Sequence, residues 1–180
     1  MAQAPDELGA DALGLRIAVV EVERHASHAG WDLPPRLYAL VSTTALAVAE
    51  PELAAELGIA DGSADRFTPV EQELDGQVES LEQLLSTITW PETVAGALAV
   101  VERVVLPPEA EAELPPDPVS AAAFAAGHPQ REEVRIAAGV LRSGPSHCVL
   151  RLRSSDDDQA LIHGADVVPG LVAALRETLE

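Results

Sequence analysis

Apolar residues recur at helical spacing near the start of the chain, between residues 11 and 29. Asp11 can cap this helix and Gly30 can end it. One apolar stripe of the helix comprises Leu15, Ala18, Val19, Val22, Ala26 and Ala29. Leu13, Ile17 and Val20 form a second stripe on nearly the opposite side. Because a helix that is apolar on two sides is covered twice, we predict an interface at the second stripe, either with this chain or with a partner subunit.

Runs of β-branched and apolar residues predict the strands. The nearly unbroken run 94–106 is typical of a central strand that is covered on both faces. The segments 132–141 and 147–153 flank a Ser-Gly-Pro turn and predict a hairpin. A further strand is expected at 36–41, and Pro69 restricts the segment 66–73 to a sheet edge.

Further helices are predicted at 44–57, 80–88, 117–126 and 166–179. Pro51 either kinks the first of these or begins a second short helix. The segments near 58–78 and 107–117 are expected to be mobile loops. The mixed order of elements predicts one α+β domain over residues 1–180, with two layers in which helices pack on a mostly antiparallel sheet. This sheet ends in the hairpin, and a helix closes the chain.

Net charge, cysteine content and the length of apolar runs exclude several kinds of partner and location. The 180 residues carry a net charge of −19, which argues against nucleic acid or an anionic membrane as the main partner. Cys148 is the single cysteine, so an intrachain disulfide is impossible and a reducing compartment is expected. Residues 1–7 lack the features of a secretory signal, and no apolar run is long enough to span a membrane. The sequence therefore predicts a soluble cytoplasmic protein.

All eleven basic residues are arginine, and five of them lie between Arg131 and Arg153. Strand alternation predicts that Arg135, Arg151 and Arg153 share the solvent face of the hairpin, with Arg103 nearby on the central strand. Such guanidinium groups could bind a carboxylate or phosphate in bidentate fashion. The alternative is that they pair with carboxylates of this chain, which is the commoner fate of surface arginines.

Metal and catalytic motifs receive little support. His25 and His28, with Glu21, could approach one flank of the first helix but lack a further ligand. The segment 61–72 begins like a calcium loop, yet Arg66 stands where glycine is required. The acidic residues 156–158 could bind a cation, although capping is commoner. His147 and Cys148 point to opposite strand faces and cannot act together. No catalytic residue, metal or cofactor is predicted.

Five segments of the chain form a recognisable set: the stretch GWDLPPRLYALV at 30–41, TWP at 89–91, VERVVLPP at 101–108, HPQREEVR at 128–135 and VPGL at 168–171. Together they resemble an actinobacterial family of cytosolic proteins of unknown function. This resemblance implies no activity, cofactor or catalytic residue. The order of elements is also similar to small α+β domains of the secretion-chaperone type, which bind protein chains.

Two hypotheses of different classes remain. The first is a non-enzymatic protein-binding or adaptor module, chaperone-like and homodimeric, because the first helix has two apolar sides and catalytic motifs are missing. The second is an enzyme or sensor that binds an anionic small molecule through the arginine cluster, which requires a concave pocket beside those arginines.

Overall fold

The computed structural model describes residues 5–59, 66–74 and 80–180. The strands are β1 (Arg36–Ser42), β2 (Phe67–Gln72), β3 (Gly96–Val105), β4 (Glu132–Leu141), β5 (Ser146–Leu152) and β6 (Ile162–Gly164). The helices are α1 (Pro5–His28), α2 (Thr43–Ala49), α3 (Pro51–Glu56), α4 (Leu81–Leu85), α5 (Pro108–Glu111), α6 (Pro118–Gly127) and α7 (Pro169–Glu177). The predicted loop at 58–78 lies partly outside the described residues.

The six strands form one sheet in the order β2-β1-β3-β4-β5-β6, and every neighbouring pair is antiparallel. The prediction of an α+β fold with a mostly antiparallel sheet is therefore confirmed. The predicted central strand is β3, the hairpin is β4–β5, and the strand that contains Pro69 is the edge strand β2. Within the described residues, no helix is both long enough and apolar enough to cross a bilayer.

Helices cover both faces of the sheet, so it is the middle of three layers rather than one of two. Helix α1 packs on one face, where its buried stripe meets Leu98, Ala137 and Val149. Helices α4 and α7 cover the other face, above a second apolar cluster that includes Ala138 and Cys148. The alternation of β4 accounts for both layers because its successive side chains are buried on opposite faces.

Of the two alternatives at Pro51, the second is observed: the segment 44–57 forms two helices, because Pro51 begins α3 after the break at Glu50. Two local differences from the prediction have physical reasons. The predicted loop at 107–117 contains the turn of helix α5, which buries Ala110. Strand β6 was not predicted, since its three residues are too short to show a period and pair only with β5.

Candidate functional site

Arg135 and Arg151 lie directly opposite each other on β4 and β5. They share one face, but it is the face beneath α1, and their exposed fractions are 1% and 2%. The prediction that this face meets solvent is therefore wrong. Ala137 and Val149 lie farther along the same face and are buried by α1. The same helix therefore also covers the two arginines.

Glu23 of α1 is the counter-ion of both buried arginines. Its side chain is fully buried and accepts hydrogen bonds from Nε and Nη2 of Arg151 at 2.6 and 2.9 Å. Nη1 of Arg135 lies 3.9 Å from Glu23 Oε1. Like charges directly opposite each other destabilise a strand pair, so this carboxylate is what makes the pairing of Arg135 with Arg151 tolerable.

Two further carboxylates bind Arg151 from the chain that follows β5. Its Nη2 donates to Asp158 Oδ1 at 2.6 Å and its Nη1 donates to Asp156 Oδ1 at 3.3 Å. The hydrogen bonds to Glu23 raise the pKa of Arg151 above its ordinary value, while the bond from Arg151 lowers the pKa of Asp158. In the acidic run 156–158, Asp156 and Asp158 therefore bind Arg151, and Asp157 caps the following turn.

The turn Gly30-Trp31-Asp32 closes over Arg135. The guanidinium of Arg135 lies 4.4 Å from the centroid of the Trp31 ring and donates to Gly30 O and to Glu102 Oε1. Glu102 also accepts from the backbone N–H of Asp32, at 2.7 Å, where φ is +65°. These contacts fasten the chain between α1 and β1 to the sheet.

Arg153 and Arg103 differ from the buried pair. Arg153 is partly exposed, bonds to Asp32 at 2.9 and 3.0 Å and to Glu133, and lies 5.4 Å from the Trp31 ring centroid. Arg103 pairs with Glu82 of α4, on the opposite face of the sheet from Arg135. The structure therefore brings Arg135, Arg151 and Arg153 together but separates Arg103 from them.

The cavity against Arg135 is too small for an organic anion. Its volume is about 10 Å³, and Glu102 and Arg36 also line it, so it has room for about one water molecule. Nε and Nη1 of Arg135 have no hydrogen-bond partner among the described residues, and a water there would satisfy them. Within the described residues, the cavity that Arg135 lines is therefore too small for the anionic small molecule of the second hypothesis.

The second apolar stripe of α1 lies on the outside of the molecule. Leu13 is 59% exposed, Ile17 is 41% exposed and Val20 is half-buried. Leu161, which precedes β6, lies beside them along a groove of about 640 Å³. Among the described residues, Leu13 and Ile17 stay exposed, whereas Val20 and Leu161 pack in part against the apolar cluster beneath α1.

The histidines do not converge on one site. His25 and Glu21 line a cavity between α1, α3 and β2, and His28 does not line it. His147 and His163 approach within 3.3 Å, between Nε2 and Nδ1. In residues 5–59, 66–74 and 80–180, no group of three or more His, Cys, Asp or Glu side chains could hold a metal ion. Asp61, Ser63 and Asp65, with which the rejected calcium-loop match begins, lie outside the described residues.

Sequence reasoning missed Glu23 and Trp31 as members of this network. A signal for Glu23 was present, because it lies within a turn of the buried positions Val19, Val22 and Ala26. A lone charge at the border of an apolar stripe predicts a buried counter-ion when arginines lie on the facing strands. Trp31 offered no comparable signal, since its position depends on the positive φ angles of Gly30 and Asp32.

Comparison with known proteins places this architecture in a family. Neither the curated proteins nor the solved structures give a match to the chain. A family model described as PPA1309-like protein matches residues 15–180, which include the arginine network and the exposed stripe of α1 from Ile17 onward. The resemblance to a family of unknown function is thereby confirmed, and the chain belongs to the PPA1309-like protein family.

Proposed function

We propose that this protein is a non-enzymatic protein-binding module, an adaptor, that pairs with a second copy of itself through the outer face of α1. The observation that carries the proposal is the apolar stripe of exposed Leu13 and Ile17 and half-buried Val20, on a helix whose opposite side is packed against the sheet. Contiguous exposed apolar residues with a charged border are typical of protein interaction sites.

The charges that border the stripe favour a second copy as the occupant. Arg16 and Glu21 are both exposed and lie about 140° apart around the helix, one on each flank of the stripe. Neither forms an ion pair within the described residues. The two flanks of the stripe therefore carry opposite charges, positive at Arg16 and negative at Glu21. Arg24, which lines the same groove farther along α1, lies near Asp158, whose pKa it helps Arg151 to lower.

These flanks also select a parallel arrangement. When two parallel helices are related by a two-fold axis along their length, the flank of Arg16 faces the partner's Glu21, and the reverse pair forms at the same time. In an antiparallel pair equal flanks meet, so Arg16 would face the partner's Arg16. Charges that flank an apolar seam are known to set orientation in this way.

We assign the buried arginines a structural role within this module. Arg135 and Arg151 fasten α1 to β4 and β5 through Glu23, which holds the helix rigid while its outer face stays available. A helix fixed to a sheet needs little ordering when it binds, and this favours association.

Sedimentation velocity at high micromolar concentration tests the proposal. The unaltered chain should sediment as a dimer. High concentration is needed because an interface of one helix per subunit is small and binds weakly. Ile17→Asp should sediment as a monomer. The control is Val48→Asp, which places the same charge at an exposed apolar position on α2 and should remain dimeric. A monomeric unaltered chain contradicts the proposal.

A further inference from the structure

A cavity of about 470 Å³ lies between α1, α3 and the edge strand β2. This volume is typical of small-molecule sites. Its apolar wall includes Leu53, Val70 and Pro69, together with Leu57 just after α3. Leu53 and Leu57 are exposed at its rim, so the cavity opens to solvent through apolar side chains.

Tyr38 of β1 lines this cavity and is 5% exposed. Its hydroxyl is buried and forms no hydrogen bond of ordinary geometry among the described residues, although the Arg36 side chain lies close to it. A buried polar group without a partner is rare and is destabilising unless a water or ligand satisfies it. Burial raises the pKa of Tyr38 and outweighs the lowering effect of the neighbouring Arg36 side chain, so the phenol keeps its proton and can either donate or accept.

The charged groups at the cavity indicate the ligand's chemistry. Glu21 and His25 lie one helical turn apart on the same flank of α1, and Glu71 reaches the cavity from β2. Arg36 lies 3.7 Å from Glu71 and does not line the cavity. Two carboxylates on a chain of net charge −19 disfavour an anion and favour a cation.

We propose that this cavity binds a small molecule with an apolar body and a protonated amine. The body packs against Leu53, Leu57 and Val70, and the amine donates to the carboxylates and to the Tyr38 hydroxyl. This site is separate from the seam of Leu13, Ile17 and Val20, and its binding does not require that two copies pair.

Tyr38 is the single tyrosine of the chain, so its ring gives one NMR signal after selective labelling. Phenethylamine is the probe, and 3-phenylpropionate is the matched anion with a similar body. Phenethylamine should shift the Tyr38 signal in a saturable way, whereas 3-phenylpropionate should leave it unchanged. The absence of a saturable shift with phenethylamine, or an equal shift with both compounds, overturns the proposal.

Ligand-observed titration of three variants locates the site. Tyr38→Phe removes one hydrogen bond and should weaken phenethylamine about two- to tenfold. Leu57→Trp changes an exposed rim residue and should abolish binding by filling the cavity. Glu71→Gln should weaken binding, and Glu111→Gln, at an exposed position on α5, is its control. Unchanged affinity in Tyr38→Phe and Leu57→Trp contradicts the assignment.

Discussion

Glu23 of α1 and Arg151 of β5 form a fully buried, bidentate ion pair, with N–O distances of 2.6 and 2.9 Å. The pair joins the first helix to the fifth strand across most of the chain. Removing Glu23 leaves Arg151 buried with only the exposed Asp156 and Asp158 as counter-charges, which is more destabilising than losing a surface ion pair. In this protein Glu23 also faces Arg135.

Glu23→Gln should therefore lower the free energy of unfolding by about 3–5 kcal/mol. Urea unfolding followed by circular dichroism measures this change. Glu111→Gln, an exposed carboxylate on α5, is the control and should change stability little. Glu23→Gln combined with Arg151→Met should be less destabilised than the sum of the two single variants. Strict additivity would show that the two side chains do not interact.

The close approach of α1 to β4 depends on Gly139. A Cβ atom at this position would lie 2.8 Å from Cγ2 of Val19 and 2.9 Å from Cδ1 of Leu15. Gly139→Ala should overpack this contact and destabilise the protein by about 1–3 kcal/mol. Gly170→Ala on α7 is the control, since nothing lies within 4 Å of its Cβ position, and it should be neutral or stabilising. Equal midpoints of thermal unfolding in the two variants would contradict the packing of α1.

Stability should fall in mildly acidic solution because of His147. Burial lowers the pKa of His147 below its ordinary value of 6.5, and neighbouring His163 and Arg16 lower it further. As pH falls below 6.5, the unfolded chain binds a proton at this residue more readily than the folded chain does, so unfolding becomes easier. His147→Gln removes this contribution.

The measurement is the urea midpoint as a function of pH, from above 6.5 down through the folded pKa. The difference in urea midpoint between the unaltered chain and His147→Gln should change across this pH window and become constant at either end. Parallel curves throughout would show that His147 titrates alike in both states.

The sequence predicted the parts of the fold that have a long, regular period. The apolar stripe of α1, the unbroken run of β3 and the turn between β4 and β5 each show a clear pattern, and the structure confirms all three. Strand β6 and helix α5 are too short to show such a pattern.

The candidate site was predicted only in part. Alternation correctly placed Arg135 and Arg151 on one face, but it carries no information about which helix covers that face. Arginines that face each other on neighbouring strands ordinarily indicate a solvent-exposed face, but here Glu23 neutralises them in the interior. The exposure of Leu13 and Ile17 agrees with their place opposite the packed stripe, while their role as an interface stays a prediction.

A charge exchange across the seam of α1 tests the proposed pairing most directly. Arg16→Glu alone and Glu21→Arg alone should each sediment as monomers, because each places like charges on facing flanks of a parallel pair. An equimolar mixture of the two variants should form a heterodimer, since both facing pairs are then opposite in charge. Dimers of each single variant, or a mixture that stays monomeric, would contradict the parallel two-fold pairing of α1.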